Sequence, residues 1–451
     1  MTIPLQNRRA APTAFHVMTK PIGPICNLDC RYCFYLEKEE MYAQEGRRAQ
    51  PSWRMSDEVR ETYIRQYIQQ QEASEITFAW QGGEPTLLGV EFFREVLDLQ
   101  QKYADGKTIH NTLQTNATLL DDEWGEFLAR HKFLVGVSID GPADLHDTYR
   151  VDKQGRPSFE RVMQGIGVLQ KHGVEFNTLT VVSRANAAHP RRVYQFLKEI
   201  GSTYLQFIPL VERVAPPSPG LIQLALAPPP NRGQADAEVT DWSVRADDWG
   251  SFLTTIFDDW VRRDVGRVFV QQFDVALSIW YGAGSTLCVF APTCGKALAI
   301  EHNGDLYSCD HFVYPEYRLG NILEDSLGSM ATSEAQTKFG RDKSASLPGY
   351  CRACEVRFAC QGECPKHRFL RTPDGEWGLN YLCAGYRRFF NHIDAPMKAM
   401  TALLQAGRAP AEFMAEMARR DQAMRRASGR NSPCPCGSGR KAKHCCARNR
   451  P

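Results

Sequence analysis

No stretch of this sequence approaches the ~20 consecutive apolar residues that a membrane-spanning helix needs. Met1 to Lys20 has no long apolar run either, so neither export nor a membrane anchor is expected, and the reading is cytoplasmic. Strong charge of one sign is also missing. The net charge is +2, which gives no global field favouring nucleic acid or a membrane surface. Cysteine is not scarce: there are fifteen. In a short secreted chain that number would mean disulfides. In 451 residues, enough for at least two packed domains, they read as metal ligands held reduced.

Three of them stand close together in Cys26-Asn27-Leu28-Asp29-Cys30-Arg31-Tyr32-Cys33-Phe34-Tyr35. Thiolates are soft ligands that suit iron–sulfur clusters. A cluster of four irons held by three cysteines keeps one iron free for another ligand. A zinc knuckle is the plain alternative, but zinc sites usually pair one C-x2-C with a second. A lone C-x3-C-x2-C fits that pattern poorly.

From Phe15 to about Val211, short β-rich runs alternate with amphipathic helical stretches. Strands are expected at 15–19, 75–80, 108–115, 133–139, 175–182 and 204–209. Helices are expected at 57–70, 91–103, 121–131, 159–172 and 190–200. Such alternation points to a parallel α/β layout, open sheet or barrel. Polar motifs follow the strands: Gln81-Gly82-Gly83-Glu84-Pro85, Gln114-Thr115-Asn116-Ala117, Ser138-Ile139-Asp140-Gly141-Pro142 and His146-Asp147-Thr148-Tyr149-Arg150. The paired glycines would let backbone approach a ligand closely, or simply make a tight turn.

Arg213 to Trp249 is proline-rich and reads as an extended loop, with helix resuming at Asp247. A second cysteine field follows: Cys288, Cys294, Cys309, Cys351, Cys354, Cys360, Cys364 and Cys383. Eight thiolates complete two four-ligand sites with no open metal, suited to electron transfer or support. Two structural zincs are the alternative, because Cys351 and Cys354 form a zinc-like pair. Asp310, directly after Cys309, would lie beside an electron acceptor, where a proton and an electron can be lost together. The bland reading is a turn-capping aspartate; His311 ranks second as a base. The stretch from Asp394 to Arg430 reads as helical, its methionines as packing. At the end, Cys434, Cys436, Cys445 and Cys446 offer four ligands for a tetrahedral structural zinc. A segment this small cannot bury a core, so the metal would supply its folding energy.

The triplet resembles the signature of radical S-adenosylmethionine (radical SAM) enzymes. That resemblance implies a partial (β/α)6 barrel with chemistry at the C-terminal strand ends, and a cofactor cleaved to a 5′-deoxyadenosyl radical. It places Tyr32 near the adenine, Gly83 near the cofactor's amino group, Ser138 and Arg150 near its ribose and carboxylate, and Val211 among the contacts. The segments Phe78–Leu87, Val137–Pro142 and Gln206–Glu212 together look like anaerobic sulfatase-maturating enzymes. Relatives usually carry glycine where Ala117 stands, so the backbone there must avoid positive φ or accept strain. The second cysteine field resembles the SPASM extension, which implies one cluster on Cys288, Cys294, Cys309 and Cys364. It puts the other on Cys351, Cys354, Cys360 and Cys383, and makes Asp310 the general base. The tail looks like the SEC-C zinc motif, whose Arg and Lys side chains suggest a docking surface.

The expected architecture is α/β: a barrel over 1–212, a Pro-rich linker and helical connection over 213–280, and an auxiliary iron–sulfur domain over 281–393. A helical linker over 394–430 and a zinc motif over 431–451 complete it. The expected function is radical oxidation of a Cys or Ser side chain in a sulfatase to Cα-formylglycine. S-adenosylmethionine, three four-iron clusters and one zinc are the implied cofactors. A sulfatase bearing Cys/Ser-x-Pro/Ala-x-Arg and a reductant such as flavodoxin or ferredoxin are the implied partners; nucleic acid is not expected. The rivals are a radical maturase of another ribosomal peptide and a zinc-rich adaptor acting through its tail. The lack of a recognisable peptide-binding domain before Cys26 argues against the first.

Overall fold

Strand β1, His16–Lys20, is where the two cysteine-rich halves of the chain meet. We describe a computed structural model, covering residues 14–35, 38–39, 42, 53–214, 238–427, 431–434 and 438–445. Following β1 come α1 (Asp57–Gln69), β2 (Glu75–Trp80), α2 (Gly89–Tyr103), β3 (Thr108–Thr115), α3 (Asp122–Arg130) and β4 (Leu134–Ser138). Then follow α4 (Phe159–His172), β5 (Phe176–Val182), α5 (Pro190–Glu199) and β6 (Tyr204–Pro209). All five neighbouring pairs from β1 to β6 are parallel. Short connections and polar caps set the helix starts: the Ser56 side chain accepts from the Val59 N–H, and Asp121 from Trp124.

Alternation along β2 sends Ile76, Phe78 and Trp80 to the helical layer. There Phe78 and Trp80 stack at 5.9 Å and meet the stacked Tyr63–Tyr67 pair of α1 edge-on. Burying each such ring contributes roughly 1.5–3 kcal/mol, which is what clamps α1 to the sheet.

The sheet does not stop at six strands. Helix α6 (Ala246–Arg263) leads to β7 (Phe269–Val270), which pairs with β6, and then to α7 (Gln271–Tyr281). The segment 213–280 was expected to be a linker and connection, but its described part, 238–280, belongs to the barrel body. Its core includes Trp249, Phe252, Phe257 and Trp260. The proline-rich stretch itself lies outside the described residues, between Arg213 and Val239, which form an antiparallel bridge.

On the other edge, β8 (Ala297–Glu301) runs parallel to β1, and β9 (Asp305–Tyr307) and β10 (Arg318–Asn321) continue antiparallel. Among the described residues the result is a ten-stranded sheet ordered β10-β9-β8-β1-β2-β3-β4-β5-β6-β7. The auxiliary region therefore grows from the barrel's own sheet. Helix α8 (Glu334–Ala345) lies beyond β10, and α9 (Cys383–Gln405) crosses the boundary expected at 393 without a break. The expected helical linker is thus partly core: Met397 and Met400 are fully buried, and α10 (Glu412–Ala427) buries Phe413. Among the described residues, no helix is long and apolar enough to cross a membrane.

Candidate active site

The triplet loop begins six residues after β1 ends and is tied down by backbone bonds. Asp29 donates to the Val151 carbonyl at 2.8 Å, and Arg31 to Tyr149 at 3.0 Å. Cys26, Cys30 and Cys33 are close enough for their charges to interact. Burial pushes the Cys26 and Cys30 thiols up to about 12, so binding a cation there would release protons. Two donors stand ready for a Cys26 thiolate: the Leu28 N–H at 3.4 Å and Asn116 Nδ2 at 3.7 Å. Arg150 acts in the same sense on Cys30. Three thiols with backbone and cationic support fit an anionic cluster.

Two buried carboxylates that the motif reading quoted but gave no role hold this end of the sheet together. Glu84 accepts from the Thr86 N–H and hydroxyl, the Thr115 hydroxyl and the Asn116 N–H, at 2.6–3.0 Å. It thereby joins the loops after β2 and β3. Asp140 accepts from the Tyr32 hydroxyl at 2.5 Å, Arg150 Nε at 2.9 Å and the Val181 N–H at 3.0 Å. The Arg150 guanidinium also lies 5.5 Å from the Tyr32 ring centroid. Burial opposes the charge on Arg150, and Asp140, together with Tyr32 and Cys30, more than restores it. Tyr32 and Arg150, both expected near the cofactor, are thus one unit built on Asp140. Ser138 ends β4 and accepts from Gln114 Nε2 at 3.0 Å, while Val211 is buried just beyond β6.

Gly83 has a reason to be glycine inside the protein itself. A Cβ there would lie 1.9 Å from the Ile25 carbonyl oxygen, so the β2 loop can cross the triplet loop only without a side chain. Its N–H donates to Gly23 at 2.8 Å. Ala117 accepts the strain: its φ is +59°, in the region glycine favours.

The auxiliary half contributes Asp310 and His311. Asp310 forms an ion pair with Lys20, the last residue of β1. Burial pushes its carboxyl up, but Lys20, with Lys366 adding to it, pulls it below the usual carboxylate value. Burial takes His311 down to about 4, and its Nδ1 lies 3.6 Å from the Cys364 sulfur. Its ring meets Phe34 edge-on at 5.9 Å, directly after Cys33. Asp310 and His311 therefore lie between the triplet loop and the auxiliary thiols.

Those thiols fall into two groups. Burial pushes the Cys309 and Cys364 thiols up; the charges of Cys288 and Cys294 add to it at Cys309, and those of Glu363, Cys309 and Cys294 at Cys364. Cys351, Cys354, Cys360 and Cys383 line one partly open pocket with Tyr350 and Tyr386. Buried Lys343 and Arg368 stand near the first group and supply positive charge. In the tail, Cys434 donates its N–H to the Arg440 carbonyl at 2.7 Å, and the Ser438 hydroxyl lies 3.1 Å from the Cys445 sulfur. Cys436 and Cys446 lie outside the described residues.

Comparison with known proteins agrees with this geometry. Residues 21–197 match the radical SAM superfamily, 288–355 an iron–sulfur cluster-binding domain of the SPASM type, and 430–448 the SEC-C motif. Fold and site together define a radical SAM enzyme. A serine-type anaerobic sulfatase-maturating enzyme of Bacteroides thetaiotaomicron is 49% identical over 399 residues, covering 88% of this chain and 94% of that one. Its counterpart in Klebsiella aerogenes is 40% identical over 400 residues, covering 88% and 89%. A cysteine-type enzyme of Clostridium perfringens is 32% identical over 383 residues, covering 83% and 95%. The solved structure of anSMEcpe with bound AdoMet and Cp18Cys peptide superposes with a TM-score of 0.73 at 31% identity, over 86% of this chain and 99% of that one. This chain belongs to the anaerobic sulfatase-maturating enzymes.

Proposed function

We propose that this enzyme oxidises a serine side chain of a cytoplasmic sulfatase polypeptide to Cα-formylglycine. The observation that carries the reading is the Lys20–Asp310 ion pair. It sets an ionised carboxylate between the triplet loop and a complete auxiliary thiol set. The choice of serine is supported by the 49% and 40% identity to serine-type enzymes, against 32% to a cysteine-type enzyme.

Cys26, Cys30 and Cys33 would hold a four-iron cluster, with S-adenosylmethionine beside Tyr32, Gly83, Ser138, Arg150 and Val211. Bound there, these groups supply one-electron chemistry and the acceptor for the substrate's Cβ hydrogen atom. The chain's own work is positional and acid–base. Asp140 fixes Arg150 and Tyr32 at the cofactor end. Asp310, kept ionised by Lys20, takes the hydroxyl proton of the substrate. Behind it, Cys288, Cys294, Cys309 and Cys364 would hold a group that accepts the second electron. A further group would sit on Cys351, Cys354, Cys360 and Cys383, and zinc in the tail. A ferredoxin or flavodoxin suits the reductant's role.

Anaerobic incubation with reductant, cofactor and Ser-x-Pro-x-Arg or Cys-x-Pro-x-Arg peptides, read by mass spectrometry, tests the reading. The serine peptide should lose two hydrogens and gain an aldehyde. Oxidation of the cysteine peptide alone would reverse the choice of residue, and oxidation of neither would end the proposal.

A further inference from the structure

We infer that Arg213 binds the substrate polypeptide by donating to one of its main-chain carbonyl oxygens, an assignment that rests on the peptide substrate proposed above. Arg213 stands four residues past the C-terminal end of β6 and is held by two backbone features. It bridges Val239, and the Val214 N–H donates to the Glu238 carbonyl at 2.9 Å. The residue is 5% exposed, and its Nη2 is buried without an acceptor among the described residues.

Three other buried cations near the strand ends have carboxylate partners: Lys20 with Asp310, Arg150 with Asp140, and Lys366 with Glu212 at 2.6 Å, while Lys343 and Arg368 donate to backbone carbonyls. Glu212, next to Arg213, is thereby already engaged. Among the described residues Arg213 meets the Phe369 ring, 5.5 Å from its guanidinium, and feels the charges of Tyr314 and Glu212 without bonding to either. A guanidinium cannot shed its charge near neutral pH, so a buried one lacking an acceptor is destabilising until something supplies it.

Location identifies the supplier. Lys366, bonded to Glu212, lies 4.5 Å from the Phe34 ring, and Phe34 touches His311 beside Asp310. Arg213 therefore stands on the side of the strand ends that faces Asp310. Of the residues expected to meet the cofactor, Tyr32, Gly83, Ser138 and Arg150 gather on Asp140 and the strand ends from β2 to β4, while Val211 stands two residues before Arg213. The neighbouring Glu212 would repel a carboxylate, so the acceptor is a neutral oxygen. A peptide carbonyl meets that condition.

The test uses the full-length enzyme reconstituted anaerobically, with S-adenosylmethionine but no reductant, and a fluorescent Ser-x-Pro-x-Arg peptide. Arg213→Gln should weaken peptide binding by about ten- to a hundred-fold. Under turnover it should raise KM by the same factor, leaving kcat and peptide-free cofactor cleavage unchanged. Arg213→Lys, which keeps a donor, should recover part of the loss. A thioamide scan of the peptide supplies the second arm. One position should weaken binding to the parent without weakening binding to Arg213→Gln further. Equal affinity of parent and Arg213→Gln, or thioamide losses identical in both, would overturn the assignment while leaving sulfatase maturation intact. A parent enzyme that binds and oxidises no such peptide would remove the proposed function, and this inference with it.

Discussion

Asp310 and His311 are adjacent in the chain, yet their surroundings give them different chemistry. Asp310 is drawn below the ordinary carboxylate value by Lys20, with Lys366 adding to it, against the effect of burial, while His311 is neutral with one nitrogen turned to Cys364. Asp310→Asn should therefore slow aldehyde formation by roughly 10²–10⁴-fold. Peptide-free cofactor cleavage should persist, because the triplet and the Asp140 unit are untouched. His311→Ala should do less harm, and the reverse ranking would make the histidine the base. A second residue-scale prediction concerns His146. It accepts from the Asp140 N–H through Nδ1 at 3.3 Å and meets the Ser158 hydroxyl through Nε2 at 3.0 Å, so it is buried neutral. Burial takes its pKa to about 3 from 6.5. The unfolded chain gains a proton below 6.5 while the folded one does not, so this stability is complete above 6.5 and is lost as pH falls toward 3. Between pH 6.5 and 5.5 the parent should lose about 1 kcal/mol more than His146→Gln in anaerobic urea unfolding. Parallel curves would show that His146 is not held neutral.

At the scale of elements, legibility followed length and period. Strands β2, β3 and β6 match the sequence expectation to the residue, because strict alternation over six to eight residues leaves little freedom in register. The three short strands β8, β9 and β10 carried no such signal, and only their pairing to β1 and to each other defines them. Glycines divided in the same way. Gly83 was legible as special but for a different reason, since the Ile25 carbonyl occupies the space a side chain would need. Gly385 went unread, because a glycine inside a helix looks merely unfavourable. In the structure it lets α9 cross α6 at Gly250, with an added Cβ falling 2.2 Å from the Ala246 carbonyl oxygen. Cys383 is the first residue of α9, two positions earlier. Gly385→Val should thus destabilise by about 1–3 kcal/mol through overpacking and shift that cysteine away from Cys351, Cys354 and Cys360. The expected readout is selective loss of iron, with peptide-free cofactor cleavage at the triplet retained. Full iron content with parental stability would mean the helices part without consequence.

For the whole molecule, the sequence reading set out the segments in order but not how they join. A composition break at the proline-rich stretch and a second cysteine field suggested modules in a row. Sheet pairing joins the first two, since β8 adds to β1 and Lys20 reaches Asp310 across that seam. Motifs were legible because each is local, whereas the seam joins residues nearly 300 positions apart and leaves no local trace. The tail stands differently. Helix α10 still belongs to the body, since Phe413 is 2% exposed, so a clean cut must fall after it. Beyond it, the described residues contain a bridge between Pro433 and Lys441 that places Cys434 at the base of a small turn, with Cys445 shortly after. The match of residues 430–448 to the SEC-C motif supports the zinc proposed for this tail, which is too short to bury a core of its own. A chain ending at Asn431 should therefore lose about one zinc, keep its iron, and oxidise a short peptide at close to the intact rate. Zinc and iron analysis beside single-turnover kinetics would check all three. Loss of iron, or of peptide oxidation, would make the tail part of the catalytic body; loss of turnover on a whole sulfatase alone would instead place the tail in substrate docking.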